Sequence, residues 1–189
     1  MIIIGLAGKK QSGKDTVYEL ARSQQQQIRV GRVAFADPLK AEVAVATKLD
    51  VKFIEAHKDK FRTLLQVWGA DFRREIYSPD YWVDAMRGIL RGAGEHVDLL
   101  FITDLRYENE AEFVHESGGF VVRVEREDTG DTHPSETVMD GYASYDHTLD
   151  NTGNLEQLEA AVAEMMEKFL PSSDGTEENK KITVMKGEE

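Results

Sequence analysis

The sequence predicts a three-layer α/β domain built on a central, five-stranded and mostly parallel sheet, and three observations predict it. Short β-branched and aliphatic runs alternate with segments of helical periodicity, the pattern of a sheet covered by helices on both faces. The first such run, Ile2 to Ala7, leads into a loop rich in glycine and lysine and then into a helical pattern beginning near Thr16. The composition is that of a folded chain, with 41% hydrophobic and 31% charged residues over 189 positions.

Taken in order, Ile2 to Ala7 is the first strand, and further strands are expected at Arg32 to Ala36, Asp98 to Thr103, Phe120 to Glu125 and Tyr145 to Leu149. The gap between the second and third of these, about sixty residues, exceeds what one crossover helix requires. An inserted helical region over 37–92 follows, with helical periodicity at Asp37 to Leu49, Phe53 to Tyr77 and Pro79 to Arg91, and with Gly92 and Gly94 at its exit. Asn154 and Gln157 have the spacing of a capping box, which predicts a final helix to about Leu170. Pro171 stops it, so one domain over 1–170 and a polar tail over 171–189 are expected.

Charge narrows the partners. Lys and Arg number 23 against 35 Asp and Glu, a net charge of −12 that repels polyanions, so no nucleic-acid partner is expected. An anionic small substrate then requires locally clustered arginines. Cysteine is absent, which excludes disulfides, thiolate–zinc sites and a cysteine nucleophile. The five histidines form no H-x-x-x-H pair. Gly5 and the lysines after it interrupt the N-terminal apolar run, so no membrane span is expected and a cytoplasmic location follows by default.

The loop Gly8-Lys9-Lys10-Gln11-Ser12-Gly13-Lys14-Asp15 fits G-x-x-x-x-G-K-[ST] except at its last position, where Asp15 stands and Thr16 follows. Small residues let successive main-chain N–H groups turn toward an anion, a helix N-terminus adds its positive dipole end, and a lysine reaches the terminal phosphates. All three are present at 8–16, which points to a phosphate-binding loop. Without an anion, Lys14 at a helix start would oppose the dipole. Further along, Asp104 ends a hydrophobic run at the strand edge where open α/β sheets bind ligands, and Arg106 follows it. Asp104 is placed to orient magnesium or its waters and Arg106 to clamp a phosphate. Phosphoryl transfer to a phosphate needs no general base, so positioned cations carry the chemistry: Lys14, Arg73, Arg74, Arg106, Arg123 and Arg126 form the pool. Arg126 opens a lid-like stretch over 126–145.

Together, GLAGKKQSGKDT, FADPLK, LLQVWGADFRREIYSPDYW, ITDLRYENEAEF, HPSE and DHTLDNTGNLEQL resemble the bacteriophage deoxynucleoside monophosphate kinases, up to about Leu170. Dephospho-coenzyme A kinases and phosphomevalonate kinases are similar at the loop, whereas the LLQ-x-W-G-x-D-x-x-R and D-x-R-x-x-N-E-A-E blocks favour the deoxynucleotide family. The resemblance implies a P-loop kinase fold of the nucleoside monophosphate kinase type, with ATP and Mg2+ as cofactors and a small nucleotide as acceptor. It implies an ATP side made by Gly8, Ser12, Gly13, Lys14, Asp15, Thr16, Arg126 and Asn151, and an acceptor side made by Asp37, Lys40, Gln66, Arg73, Asp104 and Arg106, with Trp68 and Trp82 as candidate base contacts. Asp15, Thr16 and Asp104 are the candidate metal-side groups, partly through water, and Lys14, Asp104, Arg106 and Arg126 the candidate catalytic ones. A homodimer and a non-catalytic nucleotide-binding role both stay open at this point.

Overall fold

Aliphatic residues on both faces of the first strand, Ile3 and Ala7 on one side and Ile4 and Leu6 on the other, make β1 (Ile2–Ala7) a strand covered twice, and it lies at the centre of the sheet. The computed structural model describes residues 1–94, 96–126 and 138–170. After β1 come α1 (Lys14–Gln24), β2 (Val30–Val33), α2 (Ala36–Thr47), α3 (Val51–Ala56), α4 (Lys58–Gln66), a π-helix (Val67–Tyr77) and α5 (Tyr81–Ala93). Then follow β3 (Leu99–Leu105), α6 (Glu108–Glu116), β4 (Phe120–Glu125), a 3-10 turn (Val138–Gly141), β5 (His147–Asp150) and α7 (Leu155–Phe169). The strand order is β2-β3-β1-β4-β5, and every neighbouring pair is parallel.

Two apolar layers sandwich the sheet. On one face Ile4, Leu6, Phe101, Val122 and Leu149 meet Val17 and Tyr18 of α1 and Val162, Met165 and Met166 of α7. On the other, Ile3, Ile102, Leu105 and Val121 meet Trp82, Val83 and Met86 of α5 and Phe113 and Val114 of α6. At about 1.5–3 kcal/mol for each large aliphatic or aromatic side chain removed from water, these layers dominate the favourable side of folding. A smaller cluster of Val43, Ala44 and Ile54, with Leu39, Phe61, Leu64, Leu65 and Trp68 against it, holds α2, α3 and α4 together. Among the described residues no helix is long and apolar enough to cross a membrane.

The structure shifts several expected boundaries. Residues 34–36 leave the sheet instead of extending β2, because the amide of Ala34 donates to Asp37 and those of Phe35 and Ala36 donate to Asp104, starting α2 early. The stretch Phe53 to Tyr77, one helical period in sequence, divides into α3, α4 and the π-helix. The wider winding is visible where the amide of Ser78 donates to the carbonyl of Arg73, five residues back, at 3.0 Å. At the other end the capping box forms as its spacing predicts, with Asn154 and Gln157 each accepting from the other's amide at 2.9 Å. The tail over 171–189 and most of the lid-like stretch, 127–137, lie outside the described residues.

Candidate active site

The glycine loop joins β1 to α1 at the C-terminal edge of the central strand. Gly8 and Gly13 have φ of 146° and 102°, a region open to glycine at little cost. Neither can carry a side chain. A Cβ on Gly8 would lie 2.5 Å from the carbonyl oxygen of Val124, and one on Gly13 2.3 Å from Nδ2 of Asn151. Gly13 is also the N-cap of α1 and offers no side chain to its first turn, which leaves that positive helix end for an outside anion. The ammonium of Lys14 is folded into the loop, donating to the carbonyls of Gly8 at 2.6 Å and Lys9 at 2.8 Å and to Ser12 Oγ at 3.3 Å. Glycine-dependent turns, an uncapped helix start and an ammonium within the loop together fit a bound polyphosphate. Asn151 braces the loop from below, its Nδ2 donating to the carbonyl of Ser12 at 2.7 Å.

A cavity of about 260 Å³ opens beside this loop, and Gly8, Ser12, Arg106, Arg123, Arg126 and Tyr145 are among its walls. Three guanidinium side chains line one small volume in a chain of net charge −12, the local clustering that an anionic substrate requires. Arg126 reaches over the loop toward the carbonyl of Gln11. Arg123 pairs with Glu125 at 3.0 Å and lies 5.6 Å from the ring centre of Tyr145.

The strand-tip carboxylate is engaged by the start of α2. Asp104 accepts from the amides of Phe35 at 2.7 Å and Ala36 at 2.9 Å, so both of its oxygens serve the start of α2. Burial raises its pKa, while the same two amides and Arg106 pull it down. Asp37 lies close enough to act on it electrostatically, so Asp37, Asp104 and Arg106 do come together. Lys40 pairs with Glu55 of α3 at 2.7 Å and also lies 3.8 Å from Asp37. Asp15 is 83% exposed, with Arg32 at 3.5 Å, and Thr16 is exposed beside it. Among the described residues no three Asp, Glu or His side chains converge as a metal cage, so an ion here would depend largely on ligands carried by the nucleotide.

Three residues of consequence are not among the candidate site residues of the sequence, although Glu110 and Tyr81 lie within the blocks ITDLRYENEAEF and LLQVWGADFRREIYSPDYW. Glu110 is 2% exposed and accepts from the amides of Arg106 at 2.8 Å and Tyr107 at 3.3 Å and from the guanidinium of Arg74. Burial pushes its carboxyl up to about 7, against the pull of Arg74. Arg74 lies 4.0 Å from the ring centre of Tyr107, so Glu110 ties the π-helix to the turn that carries Arg106. Glu42 of α2 plays a similar part for Arg73, accepting from it at 2.8 Å, from the Trp68 indole at 3.0 Å and from the hydroxyl of Tyr81, the third such residue. Burial raises the Glu42 pKa, but these three donors outweigh it and hold the carboxylate below its ordinary value. The only sequence signal for Glu42 is its place three residues after Leu39, on the inner side of α2.

The π-helix sets the arrangement of its aromatic side chains. Its i→i+5 repeat brings residues about four to five apart onto one face, and Trp68, Phe72 and Tyr77 pack edge to face in succession at 5.6 Å and 5.6 Å. Arg73 lies 4.6–5.8 Å from the rings of Trp68, Phe72, Tyr77 and Tyr81. Gln66 ends α4 just before the π-helix. Trp82 has gone elsewhere: it is 3% exposed in the core, with its indole donating to the carbonyl of Gly69 at 3.0 Å.

The family model described as phosphomevalonate kinase matches residues 6–119, a span running from the loop through α6. The chain belongs to that family. This kinase is also similar to a protein of Acanthamoeba polyphaga mimivirus described as "Putative deoxynucleotide monophosphate kinase", with 31% identity over 187 residues, covering 83% of this chain and 92% of the viral one. Solved structures with the same fold include APE1195, with a TM-score of 0.52, 17% identity and coverage of 89% of this chain and 94% of that one. TT1252 from Thermus thermophilus has a TM-score of 0.50 and 20% identity, covering 90% of this chain and 98% of its own. The parallel sheet, the loop and these likenesses together identify a phosphotransferase with the α/β P-loop kinase fold.

Proposed function

We propose that this kinase transfers the γ-phosphoryl group of ATP, carried with Mg2+, to the phosphate of a deoxynucleoside monophosphate. The observation that carries the reading is the cavity in which Arg106, Arg123 and Arg126 face the glycine loop, because transfer between two phosphates gathers several negative charges in one place. In this reading Gly8, Ser12, Gly13 and Lys14 hold the triphosphate, and Arg126 covers it. Asp15 and Thr16 at the first turn of α1 are the groups nearest to hand for the ion, with Asp104 acting from the base of α2. A bound ion would supply charge neutralisation for the phosphates. Arg106 holds the acceptor phosphate, with Asp37, Lys40 and Gln66 on the acceptor side.

Two acceptor classes compete. The family model favours phosphomevalonate, and the viral relative is described as acting on deoxynucleotide monophosphates. The column of Trp68, Phe72 and Tyr77 favours the latter, since a base has a π-face to stack on aromatic rings and an isoprenoid phosphate has none. Coupled measurement of ADP release across the deoxynucleoside monophosphates, phosphomevalonate and dephospho-coenzyme A separates them. Turnover with at least one deoxynucleotide and none with the other two is expected. Turnover with phosphomevalonate alone overturns the acceptor, and no ADP release with any acceptor tried returns the protein to a nucleotide-binding role.

A further inference from the structure

Thr103 is a buried polar residue without a partner. It is 3% exposed on β3, and among the described residues its Oγ1 makes no hydrogen bond. An unpaired buried hydroxyl is costly and rare in a native fold, which points to a partner that arrives with a ligand.

Its place tells which ligand. Strand alternation puts Leu99, Phe101 and Thr103 on one face of β3. Leu99 and Phe101 belong to the layer under α1, and the Phe101 ring packs edge to face with Tyr18 at 5.9 Å. α1 runs against the strand direction, so one turn back from Tyr18, at Lys14, matches two residues onward from Phe101, at Thr103. Four helical residues climb about 6 Å and two strand residues roughly 6.6 Å, so the register holds. The β1–β3 pairing then shifts between Gly5 and Ala7. Beyond the shift, Asp104 turns to the amides of α2 and Leu105 joins the opposite layer.

We propose that Thr103 is a further residue of the nucleotide site, its hydroxyl hydrogen-bonding the water shell of the divalent ion that accompanies ATP. It takes the position under the loop that a strand-tip carboxylate would hold if Asp104 were not engaged with α2. The inference rests on the ATP and magnesium reading above. The Lys14 ammonium lies at the same end of the sheet, donating to the carbonyls of Gly8 and Lys9.

Thr103→Val keeps the shape and removes the hydroxyl, and Thr103→Ser keeps the hydroxyl. Each is compared with the wild type by thermal unfolding without nucleotide and by calorimetry with ATP, in magnesium and in chelator. Thr103→Val is expected to unfold at the wild-type temperature or about 2–4 °C above it, because an unsatisfied group has gone. In magnesium it should bind ATP about tenfold more weakly than the wild type, and in chelator equally well. Thr103→Ser should follow the wild type in both. Equal affinities in magnesium, or a loss of the same size in chelator, overturn the assignment. A lower unfolding temperature for Thr103→Val also overturns it, since the hydroxyl would then have a partner inside the fold. A wild type that gives no heat with ATP in either medium overturns the ATP reading itself, a result distinct from the others.

Discussion

Replacing Glu110 by glutamine should change how stability depends on pH, and the size of the change follows from the surroundings of this one carboxyl. The side chain is 2% exposed, and burial raises its pKa from an ordinary 4.5 to about 7. Between those values the folded chain holds a proton that the unfolded chain has released. Folding is therefore favoured at low pH, and the contribution fades as pH rises from 4.5 toward 7. A tenfold change in proton affinity is worth about 1.4 kcal/mol, so the full loss comes to about 3 kcal/mol. The amide of Glu110→Gln would not titrate, yet its oxygen can still accept from the amides of Arg106 and Tyr107. Urea unfolding of both proteins at about pH 5 and pH 8 isolates the effect, because every other titrating group is common to the two. The wild type should lose about 2–3 kcal/mol more than Glu110→Gln between these pH values, slightly less than the full loss because part has already faded at pH 5. Parallel losses would refute the reasoning and show that the Arg74 guanidinium keeps Glu110 ionised throughout.

Other perturbations separate chemistry from packing. Lys14→Ala should lower kcat by about 10²–10³-fold with unfolding unchanged, because the ammonium meets charge that grows during transfer; near-normal single-turnover rates would contradict its place in the loop. Arg106→Ala should weaken binding of the acceptor monophosphate at least about tenfold more than that of ATP, as read by calorimetry with each ligand alone. Gly13→Ala should lose about 2–4 kcal/mol in urea unfolding, combining a left-handed backbone penalty with displacement of Asn151 from the Ser12 carbonyl; wild-type stability would mean that the loop relaxes freely. Trp82→Ala should lose about 3–5 kcal/mol while the surviving folded enzyme keeps its KM for the acceptor, in line with a core position.

Much of the fold is legible in the chain because its signals are local. The β-branched run before Gly8, the loop spacing, and the Asn154–Gln157 pair each act within a few residues, and strands and helices form there as expected. The end of β2 is not legible, because Asp104, 69 residues after Phe35, claims the amides of Phe35 and Ala36. Periodicity cannot show that 67–77 winds as a π-helix, since that choice depends on rings and charges from α2 and α5 packing around it. Around the site, motif spacing brings out Gly8, Lys14, Asp104 and Arg106. Glu42, Glu110 and Tyr81 act through contacts 31–39 residues apart in the chain, and a single carboxylate or phenol on a helix looks like any solvated one.

The winding of 67–77 also couples length to side-chain arrangement. An α-helix of these residues would rotate Tyr77 to roughly the far side from Trp68, given about 3.6 residues per turn, and the row of rings would be broken after its second member. Shortening the segment by one residue, with no aromatic side chain touched, would dismantle the stacking surface by changing the pitch alone. The row of rings is thus specified by backbone geometry as much as by the identity of its members.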